Sequence, residues 1–241
     1  MNHMAINAEG VIIPTATSVW SDYHGITLCC SILNEEENIV DFIKWHKPYV
    51  DNLVIIDGGS SDNSFILASK YTEDIKIMKF GGHYGNQKNR AIELAKNDWV
   101  LFLDPDERMS KHSLMNLKDL INQDKYDSYS FPRKNYVDDV QDLSHGADHQ
   151  SRLFRSYCRY IRPVHEELVG FKNRFVFEDS DYSIVHSKKQ ARHDSRNKLY
   201  TLFELLNVRE MGSPGSQTEV SFKKRFQKIA SDLEEIRNEL K

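Results

Sequence analysis

Three cysteines in 241 residues are too few for a disulfide framework. Cys29 and Cys30 are adjacent inside an apolar run, where successive strand side chains face opposite ways, and Cys158 stands alone. Reduced thiols in a cytoplasmic protein fit that pattern. No apolar run approaches the ~20 residues needed to span a bilayer. The N-terminus also lacks the basic-then-apolar order of a signal peptide. Nor is there a basic excess: Lys+Arg number 32 against Asp+Glu 36, a net charge of −4. That balance argues against nucleic acid as a partner, so any phosphate site has to be local. No internal repeat is found. What is present, 39% hydrophobic and 28% charged residues, suits a globular chain of one large domain, or one domain plus an appendage.

Residues 1–25 carry little pattern beyond Val11-Ile12-Ile13-Pro14, a short strand or an arm. From Ile26 the order is regular. Ile26–Leu33 reads as a buried strand, and Asn34 as the cap of a helix opening with Glu35-Glu36-Glu37. Leu53–Ile56 is a second strand, ended by Asp57-Gly58-Gly59-Ser60, and a helix follows to about Tyr71. Ile75–Phe80 is a third strand, Asn86–Lys96 a helix, Trp99–Leu103 a fourth strand and Ser110–Asn122 a helix. Strands alternating with helices at this spacing predict an α/β fold: a mostly parallel sheet covered on both faces. Ligands of such sheets bind beyond the carboxyl ends of the strands, where the polar clusters sit. After Tyr126 the alternation decays. Ser128–Phe131, Arg152–Phe154, Phe175–Phe177 and Ser183–His186 read as strands, separated by a polar stretch from Asp138 to His149 that is functional or mobile. Lys188–Met211 and the segment after Gly212-Ser213-Pro214-Gly215 read as helices. This divides the chain into an extension (1–25), a regularly alternating half (26–125), a less regular half (126–187) and a C-terminal helical appendage (188–241).

Leu103-Asp104-Pro105-Asp106 sets two carboxylates one residue apart just after a buried strand. Hard oxygen ligands suit Mg²⁺ or Mn²⁺, which in turn holds a diphosphate. The plain alternative is a polar turn. A strand followed by Asp-X-Asp also opens the haloacid-dehalogenase-like phosphatases, with Asp104 as nucleophile and Asp106 as acid/base. Arg108 and the three strand–helix units before the motif depart from that pattern.

Four clusters occur in order: Ser31-Ile32-Leu33-Asn34-Glu35-Glu36, Asp57-Gly58-Gly59-Ser60-Ser61-Asp62, Gln87-Lys88-Asn89-Arg90-Ala91 and Asp104-Pro105-Asp106-Glu107. Together they resemble the family-two glycosyltransferases with the GT-A (Rossmann-like) fold, over roughly residues 26–186. Arg152-Leu153-Phe154-Arg155 and Val164-His165-Glu166 add a likeness to small bacterial enzymes of lipopolysaccharide-core glucosyltransferase type. The resemblance implies an inverting transfer from a nucleotide-sugar, a UDP-sugar first, to a glycan or lipid-linked acceptor in surface-glycan synthesis. An inactive relative that only binds nucleotide or glycan is a further reading, against which Asp104, Asp106 and Glu166 stand.

By the same resemblance Asn34 and Glu35 line the nucleotide, and Asp57 accepts from a base N–H. Lys88 and Arg90 serve the diphosphate, although a solvated helix face is the plain reading for one of them. Asp104 touches ribose or metal, and Asp106 holds the metal. His186 completes the metal shell, a role for which His193 is weaker. Val-His-Glu lies beside the sugar, with Glu166 as base for the acceptor hydroxyl, Glu167 as second choice and His165 on the donor sugar. A helix starting at Pro163 is expected to present these acids. If neither glutamate serves, Asp138, Asp139 and Asp148 come next. The terminal helix, basic at one end and apolar along a stripe, packs on its own chain, pairs in a homodimer, or touches the inner face of the cytoplasmic membrane.

Overall fold

A computed structural model describes residues 4–6, 12–14, 24–123, 125–143, 148–178 and 181–189. Strands β1 (Met4–Ile6) and β2 (Ile12–Pro14) form a separate antiparallel pair. The alternating half runs β3 (Ile26–Ile32), α1 (Ile39–His46), β4 (Asn52–Asp57), α2 (Ser64–Ala68), β5 (Ile75–Ile77), α3 (Tyr84–Glu93) and β6 (Trp99–Phe102). Then come β7 (Glu107–Met109), α4 (Lys111–Met115), α5 (Leu117–Ile121), β8 (Ser128–Val137), β9 (Val140–Gln141) and β10 (Asp148–Arg155). The last elements are β11 (Arg159–Ile161), β12 (Glu167–Val169), β13 (Arg174–Val176) and β14 (Ile184–Lys188).

The central sheet runs β5-β4-β3-β6-β10-β8-β14-β7, with β9 and β13 also on β8. β5, β4, β3 and β6 are parallel, as their helical crossovers require. Beyond β6 the sheet is mixed. β10 runs antiparallel to both β6 and β8, whereas β13 and β14 run parallel to β8.

Residues of β3 alternate between two cores. Ile26, Leu28, Cys30 and Ile32 pack with Phe42, Leu114 and Leu117 on one face. Cys29 packs with Val54, Phe102, Ala91 and Ile92 on the other. Adjacent Cys29 and Cys30 therefore lie on opposite faces, and Cys29, Cys30 and Cys158 are free and buried. Burial on both faces explains the unbroken apolar runs. Helices this short hold only through such packing, each fully buried Ile, Leu or Phe contributing ~1.5–3 kcal/mol.

Several elements differ from expectation at their ends. Asn34 does not cap α1: its φ is +55°, and the helix starts at Ile39. Glu35 is thereby turned inward instead of sitting in a first helical turn. The expected 110–122 helix breaks at Asn116 into α4 and α5. No helix starts at Pro163, where the chain forms a tight loop leading into β12. The stretch after Val137 is a hairpin turn: Asp138 and Asp139 take φ of 46° and 63° between β8 and β9, the conformation a two-residue turn demands. The helices expected over 188–211 and after 215, His193, and with them the expected appendage, homodimer and membrane surface, lie outside the described residues. Among the described residues no helix is long and apolar enough to cross a membrane.

Candidate active site

The loops after β3, β4 and β6 meet at the carboxyl ends of these strands. The loops after β3 and β4 are stitched by side-chain bonds to backbone. The Ser60 hydroxyl accepts from the Asn34 N–H at 2.9 Å, and Asn34 Oδ1 accepts from the Ser61 N–H at 2.8 Å. The Glu35 N–H donates to Ser64 Oγ at 2.6 Å, and Asn38 donates to Glu35 Oε2 at 3.0 Å. Asp57 ends β4 and is 1% exposed. Its Oδ1 accepts from the N–H groups of Gly59 (2.7 Å) and Ser60 (2.6 Å), in a turn that Gly59 enters with φ of +102°. Its Oδ2 has no hydrogen-bond partner among the described residues. An unsatisfied buried carboxylate oxygen costs stability and marks a place for a donor.

Helix α3 positions the second group. Gln87 donates to the Met78 carbonyl at 3.0 Å, and Arg90 donates to the carbonyls of Lys79 (3.0 Å) and Met78 (3.5 Å). Arg90 thus braces the chain after β5. Asn89 clamps the backbone of Tyr160 in both directions, at 2.8 Å each. The first turn of α3 docks on the following loop, with the Tyr84 N–H donating to the Pro163 carbonyl at 2.9 Å. A Cβ on Gly85 would lie 2.7 Å from the Arg162 carbonyl oxygen, so only glycine allows this approach. The loop carries left-handed residues at Arg162 (φ 73°) and His165 (φ 52°). It turns Glu166 inward and leaves His165 exposed.

Lys88 is the residue of its motif that reaches the carboxylates. Its Nζ lies 3.3 Å from Glu166 Oε1 and 3.5 Å from Asp104 Oδ2. It also stands over the rings of Tyr160 (5.1 Å) and Phe102 (5.4 Å). Burial works against its charge, but Asp104 and Glu166 outweigh burial and raise its pKa, so Lys88 stays an ammonium. Glu167 points the other way, 54% exposed and paired with Arg162 at 2.8 Å. Glu166 and Glu167 therefore do not share a face.

Asp104 and Asp106 diverge. Asp104 faces Lys88 and also receives Arg152 at 3.1 Å. Arg152 in turn donates to Glu107 Oε1 at 2.6 Å, which Arg133 reaches at 3.1 Å. Glu107 is fully buried, and its other oxygen accepts from the Asp104 N–H at 3.1 Å. Burial opposes the charge on Arg152, yet Glu107 and Asp104 push its pKa up. Asp106 is turned to β14, where His186 Nε2 lies 3.5 Å from its Oδ2. Arg133 also pairs with Asp148 at 2.7 Å.

Sequence reading missed Glu107, Arg133, Asn135 and Arg152 as parts of the site. A charged residue inside the apolar run Arg152-Leu153-Phe154 was the available signal, because a buried arginine needs a buried acid. A separate concavity of about 630 Å³, lined by Trp45, Arg108, Lys111 and Val185 among others, opens on the opposite face of β14 from His186. Its Lys111 is spent over the Trp45 ring at 3.8 Å.

The Glycosyl transferase family 2 model matches residues 27–185, and the chain belongs to that family. The match spans the site residues above except His186, which lies one position past its end, and displaces the phosphatase alternative. An uncharacterised glycosyltransferase of Rickettsia bellii is 29% identical over 174 residues, covering 71% of this chain and 55% of the relative. The glycosyltransferase SunS of Bacillus subtilis is 22% identical over 157 residues, covering 63% of this chain and 37% of that protein. The chain thus spans little more than half the length of the Rickettsia relative. Among solved structures, residues 1–349 of S. aureus TarS in complex with UDP-GlcNAc superpose with a TM-score of 0.53 at 16% identity, covering 86% of this chain and 71% of that one. At that identity the likeness defines the fold, a mixed α/β sheet of GT-A type.

Proposed function

We propose that this protein transfers a sugar from a nucleoside-diphosphate donor, a UDP-sugar, to an acceptor hydroxyl with inversion at the anomeric carbon. One observation carries the reading: Lys88, Asp104 and Glu166 converge from α3, the loop after β6 and the loop before β12, while Asp106, two residues beyond Asp104, faces His186. Asp57 Oδ2, buried and without a partner among the described residues, suits the N–H of a uracil base. S. aureus TarS has been solved with UDP and with UDP-GlcNAc, which supports that donor class.

The residues fit a divalent cation in part. Asp106 and His186 offer one hard oxygen and one imidazole nitrogen, a set that favours Mn²⁺ over Mg²⁺. Among the described residues no group of three His, Cys, Asp or Glu side chains could hold a metal, so a donor diphosphate has to supply further ligands. When bound, the cation neutralises charge on the leaving diphosphate. Asp104, held by Arg152 and Lys88, is assigned to the donor ribose rather than the cation. Lys88 adds a fixed positive charge near the diphosphate. Glu166 accepts the proton of the acceptor hydroxyl as that oxygen bonds to the anomeric carbon. The bond from that carbon to the phosphate oxygen breaks, and the nucleoside diphosphate leaves. A glycan or lipid-linked acceptor of a bacterial surface polymer fits the lipopolysaccharide-type motif.

A thermal-shift panel of nucleoside diphosphates, with and without Mn²⁺, tests this reading. UDP is expected to raise the melting point, and Mn²⁺ to enlarge the rise. Asp106→Ala is expected to remove the Mn²⁺ increment while the fold survives. If no nucleoside diphosphate shifts the melting point with any metal, the donor assignment is wrong.

A further inference from the structure

His186 sits on β14 directly across from Asn135 on β8. Its Nδ1 lies 2.8 Å from Asn135 Oδ1, and its Nε2 faces Asp106. The amide of Asn135 is held in turn by Asp148, whose Oδ2 accepts from Asn135 Nδ2 at 3.1 Å. Asp148 is anchored by Arg133 at 2.7 Å and by Gln150 at 2.7 Å.

These contacts fix proton positions by elimination. A carboxylate paired with arginine only accepts, so the NH₂ of Asn135 has to face Asp148. Its carbonyl oxygen then faces His186. That oxygen also only accepts, so His186 Nδ1 carries a proton. In the neutral ring the lone pair is left on Nε2, on the side of Asp106. Free imidazole in water prefers the other tautomer, so the protein imposes this one.

We infer that Asp148 and Asn135 are positioning residues that lock His186 in the Nδ1–H tautomer and aim its Nε2 lone pair at a divalent cation shared with Asp106. This rests on the metal reading proposed above and extends it to residues that touch neither cation nor donor. Hydrogen bonding from the far nitrogen of a ligating histidine is the usual means of fixing ring and tautomer, and its loss costs ~10–100-fold in metal affinity. The polar stretch around Asp148 thereby gains a role that needs no contact with the acceptor.

The test has two arms. In the first, imidazole ¹⁵N–¹H correlation spectra of the metal-free, full-length protein are recorded at a pH where His186 is neutral, and His186→Gln identifies its signals. A proton on Nδ1 and a bare Nε2 are expected, and Asn135→Leu should shift the population toward Nε2–H. The opposite tautomer in the wild type overturns the relay. In the second arm, Mn²⁺ binding is titrated by electron paramagnetic resonance with saturating UDP. Asn135→Leu is expected to weaken Mn²⁺ about 10–100-fold, with UDP affinity in the absence of metal unchanged. Unchanged Mn²⁺ affinity overturns the positioning role. Asn135→Ala replaces the leucine variant if that one fails to fold. A wild type with the expected tautomer but no Mn²⁺ binding at any concentration overturns the cation reading instead. The first arm thus separates a failed relay from a failed metal site.

Discussion

Asp57 ends β4 and Asp104 lies two residues beyond β6, two strands that flank the same neighbour, β3, yet the two acids are held by different means. Asp57 is fixed by two N–H groups of its own turn, two and three residues on. Asp104 is fixed by Arg152, 48 positions away, and by Lys88 from α3. The first arrangement forms as soon as the turn forms. The second exists only after β10 has paired with β6 and α3 has docked. One half of the site is therefore built from local loops on a parallel sheet, and the other from charges brought together by an antiparallel addition.

This difference is sharpest for Arg152, whose removal carries the largest expected effect. Its side chain is 3% exposed and joins Asp104 to the fully buried Glu107. Arg152→Met leaves Glu107 with Arg133 and Asp104 with Lys88 but removes the buried cation that joins them, and breaking a buried pair typically costs ~3–5 kcal/mol. Urea denaturation should show that deficit, with donor binding weakened in parallel because Asp104 loses its brace. A variant within about 1 kcal/mol of wild type would mean that water or Lys88 already satisfies the pair.

Glu166→Gln probes the chemistry at the end of the same network. A positioned base contributes ~10²–10⁴ in rate, so transfer should fall by that factor while UDP affinity stays nearly unchanged. Glu167→Gln should transfer normally, because that side chain faces solvent and Arg162. Steady-state transfer beside UDP calorimetry checks both variants. A crippled Glu167→Gln with a normal Glu166→Gln would reverse the assignment.

On the local side of the comparison, Asp57→Ala removes the acceptor proposed for the base without touching a distant strand. A hydrogen bond to a charged group is worth ~1.5–3 kcal/mol, about 10–150-fold in UDP affinity. Stability should change less than in Arg152→Met. If the two variants lose equal stability, the contrast between a local and an assembled half is wrong.

That contrast also explains what could be read in advance. Asp57, Asp104 and Asp106 were legible because apolar runs ending in polar turns mark strand ends, where α/β sheets bind ligands. Lys88 and Glu166 were legible by family likeness, but the loop that carries Glu166 was not. Pro163 looks like a helix start, whereas here the preceding loop docks on Gly85, and the resulting close approach and left-handed turns override local preference. Arg152 left a signal as a charge beside an apolar run, but its partners, like Arg133 and Asn135, were not legible. Their partners lie on strands whose pairing no local pattern encodes, such as Asn135 with His186, 51 residues apart. Asp148 was visible as a charge in a polar stretch and as a fallback base, not as a partner of Asn135.

Asp148 also supplies the smallest effect, and one that distinguishes the assembled half by pH. Burial pushes its carboxyl pKa up, but Arg133 and the amides of Gln150 and Asn135 outweigh burial, leaving it at about 2 against an ordinary 3.8. A depressed carboxyl pKa stabilises the fold above the unfolded value and loses that contribution as pH falls. The contribution is therefore complete above about pH 5 and drains away as pH drops from about 4 to about 2. A shift of this size corresponds to about 2 kcal/mol. Other carboxyl groups with lowered pKa, such as Asp62 and Asp127, share the acid sensitivity, so wild type alone cannot isolate Asp148. The difference between wild type and Asp148→Asn can. At pH 6 the variant should be less stable by about that amount, and most of the gap should be gone by about pH 2, closing fully below it as Asp148 becomes protonated in the folded state too. A gap that stays constant with pH would show that asparagine perturbs packing instead of charge. A gap that widens on acidification would mean that the Arg133–Asp148 pair does not hold the carboxylate ionised, and that Arg133 serves Glu107 alone.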